Sequence, residues 1–268
     1  PLFIILLLFV SCGQKRNKPT TTSPPSATPS VSAARMEGEE EETYEVTGIH
    51  KAVLDNDLEE VKRILAEDKK QVNRKDPKGF TPLHFAAEIG NIDIATHLLD
   101  QGAIIGVVNE SGWSVMHNAA RTGQLDMAMF LVTRGAKTDV PSKMGWTPMH
   151  IAAANNQLKF VKFLVEQNAD MNARNVDGWT PLHRAAANGA VETVQYLLDE
   201  NALADEKTSD GLTPLILANK GGHTQVAHLL TVKIFNIDVN PTPMNKEQIE
   251  IYKERIKDRA KLKAKEEK

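Results

Sequence analysis

Four histidines recur at one spacing along the chain, and their side chains are the first that could do chemistry. His84, His117, His150 and His183 are each 33 residues apart, and imidazole nitrogens are common ligands of zinc and other metals. A metal site needs all its ligands within a few ångströms of one ion, whereas packed helices lie about 8–10 Å apart. We therefore predict no metal site, and we expect each histidine to hydrogen-bond to its own turn and capping hydroxyl and to tie one turn to the next.

Other arrangements that support catalysis are missing from the sequence. The 268-residue chain has one cysteine, Cys12, which excludes a disulfide framework and a cysteine-based zinc site within the chain. The sequence has no phosphate-binding glycine-rich loop, no His-Glu-x-x-His run and no Gly-x-Ser-x-Gly elbow. The net charge of -3 at pH 7 argues against a general affinity for nucleic acid. We predict a protein that is not an enzyme, carries no cofactor and binds no nucleic acid.

The histidines belong to a longer motif that repeats along the chain. The segment 79–87, GFTPLHFAA, recurs with variations from Gly112, Gly145 and Gly178, and a weaker copy starts at Gly211. This motif and its constant spacing of 33 residues resemble the ankyrin-repeat family. An earlier copy, IHKA, lies one residue out of phase at residues 49–52. We therefore expect an ankyrin-repeat domain of about six repeats over residues 43–236.

The resemblance implies an all-α ankyrin-repeat solenoid of helix-turn-helix units with β-turn fingers. The residues support helices independently, because Thr81 is a favourable N-cap and Pro82 suits the first helical position. Gly90 can end the first helix in a left-handed conformation, and Asn156 can replace glycine at that position. Since one repeat cannot bury its apolar face alone, stacked repeats must supply the core.

The three tryptophans share one position of the motif, directly after the finger glycine. In ankyrin repeats this position lies toward the concave side that binds partners, and tryptophan is frequent at the centres of interfaces. The alternative is that each ring packs against its own finger. Phe80 holds this position in the repeat before Trp113, and four further residues lie on the same side at positions whose charge and size vary between repeats. The predicted partner-binding residues are Phe80, Trp113, Arg121, Met144, Trp146, Asn155, Trp179 and Arg184.

Residues 1–12 resemble a bacterial lipoprotein signal. They begin with ten residues that are apolar, too few for a bilayer-spanning helix of about 20 residues but suited to a signal of about 7–15. Cys12 is the candidate lipidation site, although Phe9 stands where leucine is usual. Residues 13–42, rich in Pro, Ser, Thr and then Glu, are expected to form a disordered linker. Such a protein would lie in the cell envelope or be secreted. An ordinary cleaved signal, and a cytoplasmic protein that starts at Met36, are open alternatives.

Residues 237–268 are expected to form a linker and a charged C-terminal helix. Residues 246–268 contain nine Lys or Arg and six Asp or Glu, a net charge of +3. One face of the predicted helix carries the apolar residues Ile249, Tyr252, Ile256 and Ala260. A solvated terminal helix and a helix that contacts a partner or a membrane surface both agree with this pattern.

Together these features predict a protein–protein interaction module. We expect a monomer that binds a protein partner through its concave face and is tethered to a membrane or exported. The alternative is a structural or oligomerising scaffold in the cytosol, in which Met36 is the first residue and the C-terminal helix drives self-association.

Overall fold

In a computed structural model of the chain, which describes residues 46–235, twelve α-helices follow one another with turns between them. A 3₁₀ turn, Lys69–Asn73, follows the second helix. Residues 46–235 contain no β-strand. The helices are α1 (Gly48–Leu54), α2 (Leu58–Glu67), α3 (Pro82–Ile89), α4 (Ile92–Asp100), α5 (Val115–Thr122), α6 (Leu125–Thr133), α7 (Pro148–Ala154), α8 (Leu158–Glu166), α9 (Pro181–Ala187), α10 (Val191–Asp199), α11 (Pro214–Lys220) and α12 (Thr224–Phe235). The predicted all-α solenoid is confirmed.

The start of each first helix follows from the Thr-Pro-x-His motif. In α3, Thr81 has an extended backbone, Pro82 occupies the first turn, and His84 completes a capping box with Thr81. Proline fits here because the first turn of a helix has no partner for its N–H groups. In α5, Ser114 replaces threonine and Val115 replaces proline, and the same capping box forms. The hydroxyl and the histidine, rather than the proline, are therefore what every complete copy shares.

The core runs continuously through the stack. The first helices pack in series, α1 on α3 and onward to α11, and four contacts, α2 on α4, α6 on α8, α8 on α10 and α10 on α12, join second helices. Alanine pairs of the first helices are fully buried and let neighbouring backbones approach closely. One leucine of the second helices is fully buried in five successive repeats, at Leu98, Leu131, Leu164, Leu197 and Leu230. This regular burial explains why the 33-residue spacing is kept.

The fingers are β-turns that join edge to edge. In one finger the N–H of Gly112 donates to the carbonyl of Asn109 (3.0 Å), and the N–H of Asn109 donates to the carbonyl of Trp113 (2.9 Å). The next two fingers are linked by a hydrogen bond from the N–H of Val176 to the carbonyl of Met144 (3.0 Å). The predicted β-turn fingers are therefore confirmed, and backbone hydrogen bonds hold each finger to its neighbour.

Several predictions concern parts of the chain outside the described residues. They are the signal at residues 1–12 with its lipidation site Cys12, the linker at residues 13–42, and the linker and helix at residues 237–268. Between residues 46 and 235, no helix is both long enough and apolar enough to cross a membrane.

Candidate protein-binding surface

The fingers and the first helices form one surface, which we call the finger face. It consists of the fingers 76–80, 109–113, 142–146, 175–179 and 208–212 and of α3, α5, α7, α9 and α11. Side chains of the helices reach the fingers across this surface, since the guanidinium of Arg184 on α9 lies 5.0 Å from the ring centre of Trp146. Side chains of neighbouring helices also meet on it, since Glu88 on α3 forms an ion pair with Arg121 on α5.

The four motif histidines hold this surface together from beneath. His117 Nδ1 accepts a hydrogen bond from the backbone N–H of Ser114 (3.0 Å) and lies 2.9 Å from the Ser114 hydroxyl. Its Nε2 donates to the carbonyl of Trp146 in the next finger (3.0 Å). The other three histidines make the equivalent contacts. The prediction that each histidine ties one finger to the next is confirmed.

Burial keeps these histidines neutral. It lowers the pKa of His84, His117 and His150 to about 4, and the hydrogen bond to the next carbonyl only partly opposes this effect. The pKa of His183 is also lowered by burial. With Nδ1 accepting and Nε2 donating, both ring nitrogens are engaged. No group of three or more His, Cys, Asp or Glu that could hold a metal ion occurs among residues 46–235.

The middle of the finger face carries an exposed group that we call the aromatic cluster: Met144, Trp146, Val176, Trp179 and Arg184. The two indole rings meet edge to face with their centres 6.3 Å apart, and both are half-buried. At the finger tips, Met144 is 50% exposed and Val176 is 59% exposed. The backbone hydrogen bond between these two residues places the tips side by side. Two adjacent fingers therefore present apolar and aromatic side chains to solvent, and the guanidinium of Arg184 lies over one of the rings.

The part of the finger face nearer the N-terminus is closed. Trp113 is 8% exposed, and its ring is stacked on that of His117 at 5.5 Å. Phe80 is half-buried and packs against Phe85 at 5.9 Å. The guanidinium of Arg121 forms an ion pair with Glu88. The structure thus buries Trp113 and pairs Arg121 with Glu88, whereas Phe80 is half-buried, as Trp146 and Trp179 are.

The predicted site residues therefore separate into two groups. Met144, Trp146, Trp179 and Arg184 lie together, and Asn155 is exposed at the C-terminal end of α7. The part that any of them plays in binding a partner stays a prediction. Val176 belongs to the aromatic cluster by position and exposure, although the sequence prediction did not include it.

Another set of residues was missed by sequence reasoning. Each finger begins with a short polar side chain that accepts a hydrogen bond from the backbone N–H four residues later. Asn109 Oδ1 accepts from Trp113 (2.8 Å), and Asn175 Oδ1 accepts from Trp179 (2.7 Å). The set comprises Asp76, Asn109, Ser142, Asn175 and Thr208. Their own 33-residue spacing was the signal that could have revealed them, and they orient the backbone that carries each tryptophan.

Comparison with known proteins agrees with this architecture. A family model described as Ankyrin repeats (3 copies) matches residues 31–109, 101–175 and 167–242. Because these matches cover most of the chain, the protein belongs to the ankyrin-repeat family. Ankyrin repeats indicate a protein–protein interaction module.

Curated relatives are similar to only part of the chain. Protein phosphatase 1 regulatory subunit 27 of Homo sapiens is 37% identical over 67 residues, which are 25% of this chain and 43% of the relative. The subunit of the same name from Mus musculus matches equally. Ankyrin repeat domain-containing protein 49 of Homo sapiens is 43% identical over 53 residues, which are 20% of this chain and 22% of the relative. The chain thus spans less than half the length of these relatives.

Proposed function

We propose that the protein binds a protein partner through the finger face, with the aromatic cluster as the centre of the interface. The observation that carries this proposal is the pair of exposed finger tips, Met144 and Val176, beside the half-buried Trp146 and Trp179. Most of the binding energy of an interface comes from a few residues, and Trp and Arg are enriched among them. We count each pair of helices as one repeat, which gives six repeats, and the last five of them present this surface.

The cluster is well suited to binding because its backbone is already ordered. The Trp179 finger donates backbone hydrogen bonds to Asn175 Oδ1 and to the preceding finger, and His150 donates to the Trp179 carbonyl (3.0 Å). A partner would therefore bind without the cost of ordering a loop. We also propose a non-catalytic role, because the side chains described above serve packing and turn formation. One relative is by its name a regulatory subunit, and a regulatory role that acts by binding agrees with this proposal.

The test compares two substitutions that remove similar side chains from different surfaces. Trp146→Ala removes the centre of the aromatic cluster. Phe130→Ala is the matched control, because Phe130 lies on the second helix α6, is half-buried, and is covered by Arg134 at 5.2 Å. Partners captured by crosslinking with the native chain are purified, and their affinity is measured for each variant. We expect Trp146→Ala to weaken binding by at least about tenfold, a loss of about 1.4 kcal/mol, and Phe130→Ala to change it less than about threefold. Undiminished binding by Trp146→Ala, or equal losses in both variants, would contradict the proposed site.

We further propose that the protein is a monomer held at a membrane through a lipid on Cys12, in the cell envelope or exported. The support is the sequence of residues 1–12 and the tether-like composition of residues 13–42. Mass spectrometry of the mature N-terminus tests this proposal, which expects a diacylglycerol-modified cysteine. A mature chain that starts at Met36 would overturn it and favour a cytoplasmic scaffold.

A further inference from the structure

The last helix pair differs from the others in a way that follows from its position. Where the complete motifs have a buried histidine, the last copy has Ile216, which is 39% exposed. The preceding residue, Leu215, is half-buried, whereas its equivalent Leu182 in the previous repeat is fully buried. No further finger follows among the described residues, so a histidine here would find no carbonyl to bind. The replacement, however, is apolar rather than polar.

The second helix of this pair shows the same change. Val232 occupies the position that is Asp100, Thr133, Glu166 and Asp199 in the preceding repeats, all exposed and polar. Ile234 stands where the earlier repeats have Gly or Asn with a positive φ angle. Accordingly α12 has 12 residues, whereas α10 has nine. We call Leu215 and Ile216 the end face, because their equivalents Leu182 and His183 are buried beneath the following repeat.

The opposite end of the stack is constructed differently. The outward residues of α2 are charged and include Glu59, Lys62 and Arg63, which form ion pairs along the helix. Among the described residues, the exposed large apolar side chains begin only at Ile92. A repeat protein needs a polar outer face on a terminal repeat that meets water. The N-terminal end meets this requirement. The last repeat meets it in part, since Asn219 and Lys220 are exposed where the previous repeat has Ala186 and Ala187, but the end face is apolar, which indicates that the end face is covered.

The chain itself provides a segment that can reach the end face. It continues directly from α12 for 33 further residues, 236–268. Residues Ile249 and Ile256 lie on the apolar face predicted for this segment, and Ile249 is 14 positions beyond Phe235. Fourteen residues span up to about 46 Å when extended, which is enough for the chain to turn back. Because the segment is tethered beside the surface, its effective concentration there is on the order of millimolar.

We propose that residues 249–256 of the chain's own C-terminal segment pack on the end face and close the last repeat. The apolar side chains of the segment then bury Leu215 and Ile216 as the following repeat buries their equivalents elsewhere. The charged residues that follow, up to Lys268, then provide a polar outer surface over the end face. This inference does not depend on the partner-binding role of the finger face.

A disulfide experiment on the full chain tests the contact directly. In a Cys12→Ser background, which removes the sole native cysteine, Ile216→Cys is combined with Tyr252→Cys. The control combines Ile216→Cys with Ile251→Cys, because Ile251 lies about 200° around the helix from Ile249. With diamide as the oxidant, we expect an intramolecular disulfide in the first variant and at least about fivefold less in the control. Equal yields in the two variants would overturn the contact. Disulfide-linked dimers without the intramolecular product would instead show that the end face pairs with a second copy.

Hydrogen exchange gives a second measurement that needs no cysteine. Ile249→Asp with Ile256→Asp is expected to speed amide exchange in α11 and α12 by about tenfold or more, since an uncovered terminal repeat opens more readily. The control Ile251→Asp with Leu262→Asp introduces the same two charges on the opposite side of the predicted helix and should leave these amides within about twofold of native. Unchanged exchange in the double variant would overturn the proposal, and faster exchange along the whole stack would show a general loss of stability instead.

Discussion

Trp113 and Trp146 occupy the same position in successive repeats, and one is buried while the other lies at the surface. Each carbonyl accepts a hydrogen bond from the histidine of the preceding repeat. The two tryptophans differ in the residue that follows 38 positions later, in the first helix of the next repeat. It is Ile151 for Trp113 and Arg184 for Trp146. Ile151 is 3% exposed and belongs with Trp113 to the apolar core, whereas the guanidinium of Arg184 lies over the Trp146 ring. The two indoles thus differ in the side chain that the next repeat supplies, which is apolar for the buried indole and cationic for the half-buried one.

The comparison separates what supports the repeat from what is free to vary. The motif histidines and the hydrogen bonds of the fingers are the same beneath both tryptophans. The aromatic position above them is core in one repeat and surface in the next. A repeat protein can therefore change its binding surface without disturbing its framework.

Lowering the pH should destabilise the repeats of Trp113 and Trp146 alike, and this loss of stability is the largest effect we expect. His117 and His150 have a pKa of about 4 in the folded protein and about 6.5 when unfolded. Between these values the unfolded chain binds more protons, so the free energy of unfolding falls as the pH drops from about 6.5 toward 4. Each histidine contributes up to about 1.4 kcal/mol per pH unit in this window. Urea unfolding at several pH values measures the slope.

The same prediction can be resolved for each histidine by NMR. The Cε1–H resonances of His117 and His150 should not titrate between pH 5.5 and 7.5 in the folded protein. If His150 titrated near its ordinary pKa while His117 did not, the framework would differ between the two regions and the comparison would fail.

The two tryptophans should differ in their contribution to stability. Trp113→Ala empties a buried site and is expected to lower the free energy of unfolding by about 3–5 kcal/mol. Trp146→Ala removes a half-buried ring and should cost about 1–2 kcal/mol. Urea unfolding of each variant at pH 7 gives both values. Equal losses would mean that the surface tryptophan supports the fold as much as the core one does.

The sequence was sufficient to predict the framework because each framework residue repeats. The Thr-Pro-x-His motif predicted the N-cap and the hydrogen bonds of each histidine to its turn and capping hydroxyl, and the structure shows them together as a capping box. Asn156 was predicted to replace glycine, and its φ of 52° confirms this. Its side chain accepts a hydrogen bond from Thr193 (2.9 Å), while Ala190 stands where two earlier repeats have glutamine. The replacement of glycine by Asn156 is thus accompanied by different residues at Ala190 and Thr193. These three positions share no repeated pattern from which the sequence could have predicted the change.

Exposure on the finger face could not be predicted in the same way. The motif assigns Trp113 and Trp146 to one position, so their sequence context gives them the same expected exposure. Their surroundings differ at a residue of the next repeat, such as Arg184 over Trp146, and such a tertiary contact lies outside the local sequence. Arg121 was likewise predicted as a surface anchor, but its charge is engaged by Glu88 on the preceding helix. A shared motif position therefore predicts the backbone well and the surface poorly.

Arg184→Ile reproduces at Trp146 the arrangement found at Trp113, and its effect on stability should be the smallest of these. An exposed cation–π contact is worth about 0.5–1 kcal/mol, and the new isoleucine buries apolar area of similar value, so we expect a net change below about 1 kcal/mol. The accessibility of the ring should change more. In protein labelled with 5-fluorotryptophan, the ¹⁹F chemical shift of an exposed ring changes when H2O is replaced by D2O. For Trp146 this change should decrease toward the value for Trp113. Arg134→Ile, which uncovers Phe130 on α6, should leave that resonance unchanged. A Trp146 ring that stays as accessible as before would show that the finger, and not the residue of the next repeat, sets its exposure.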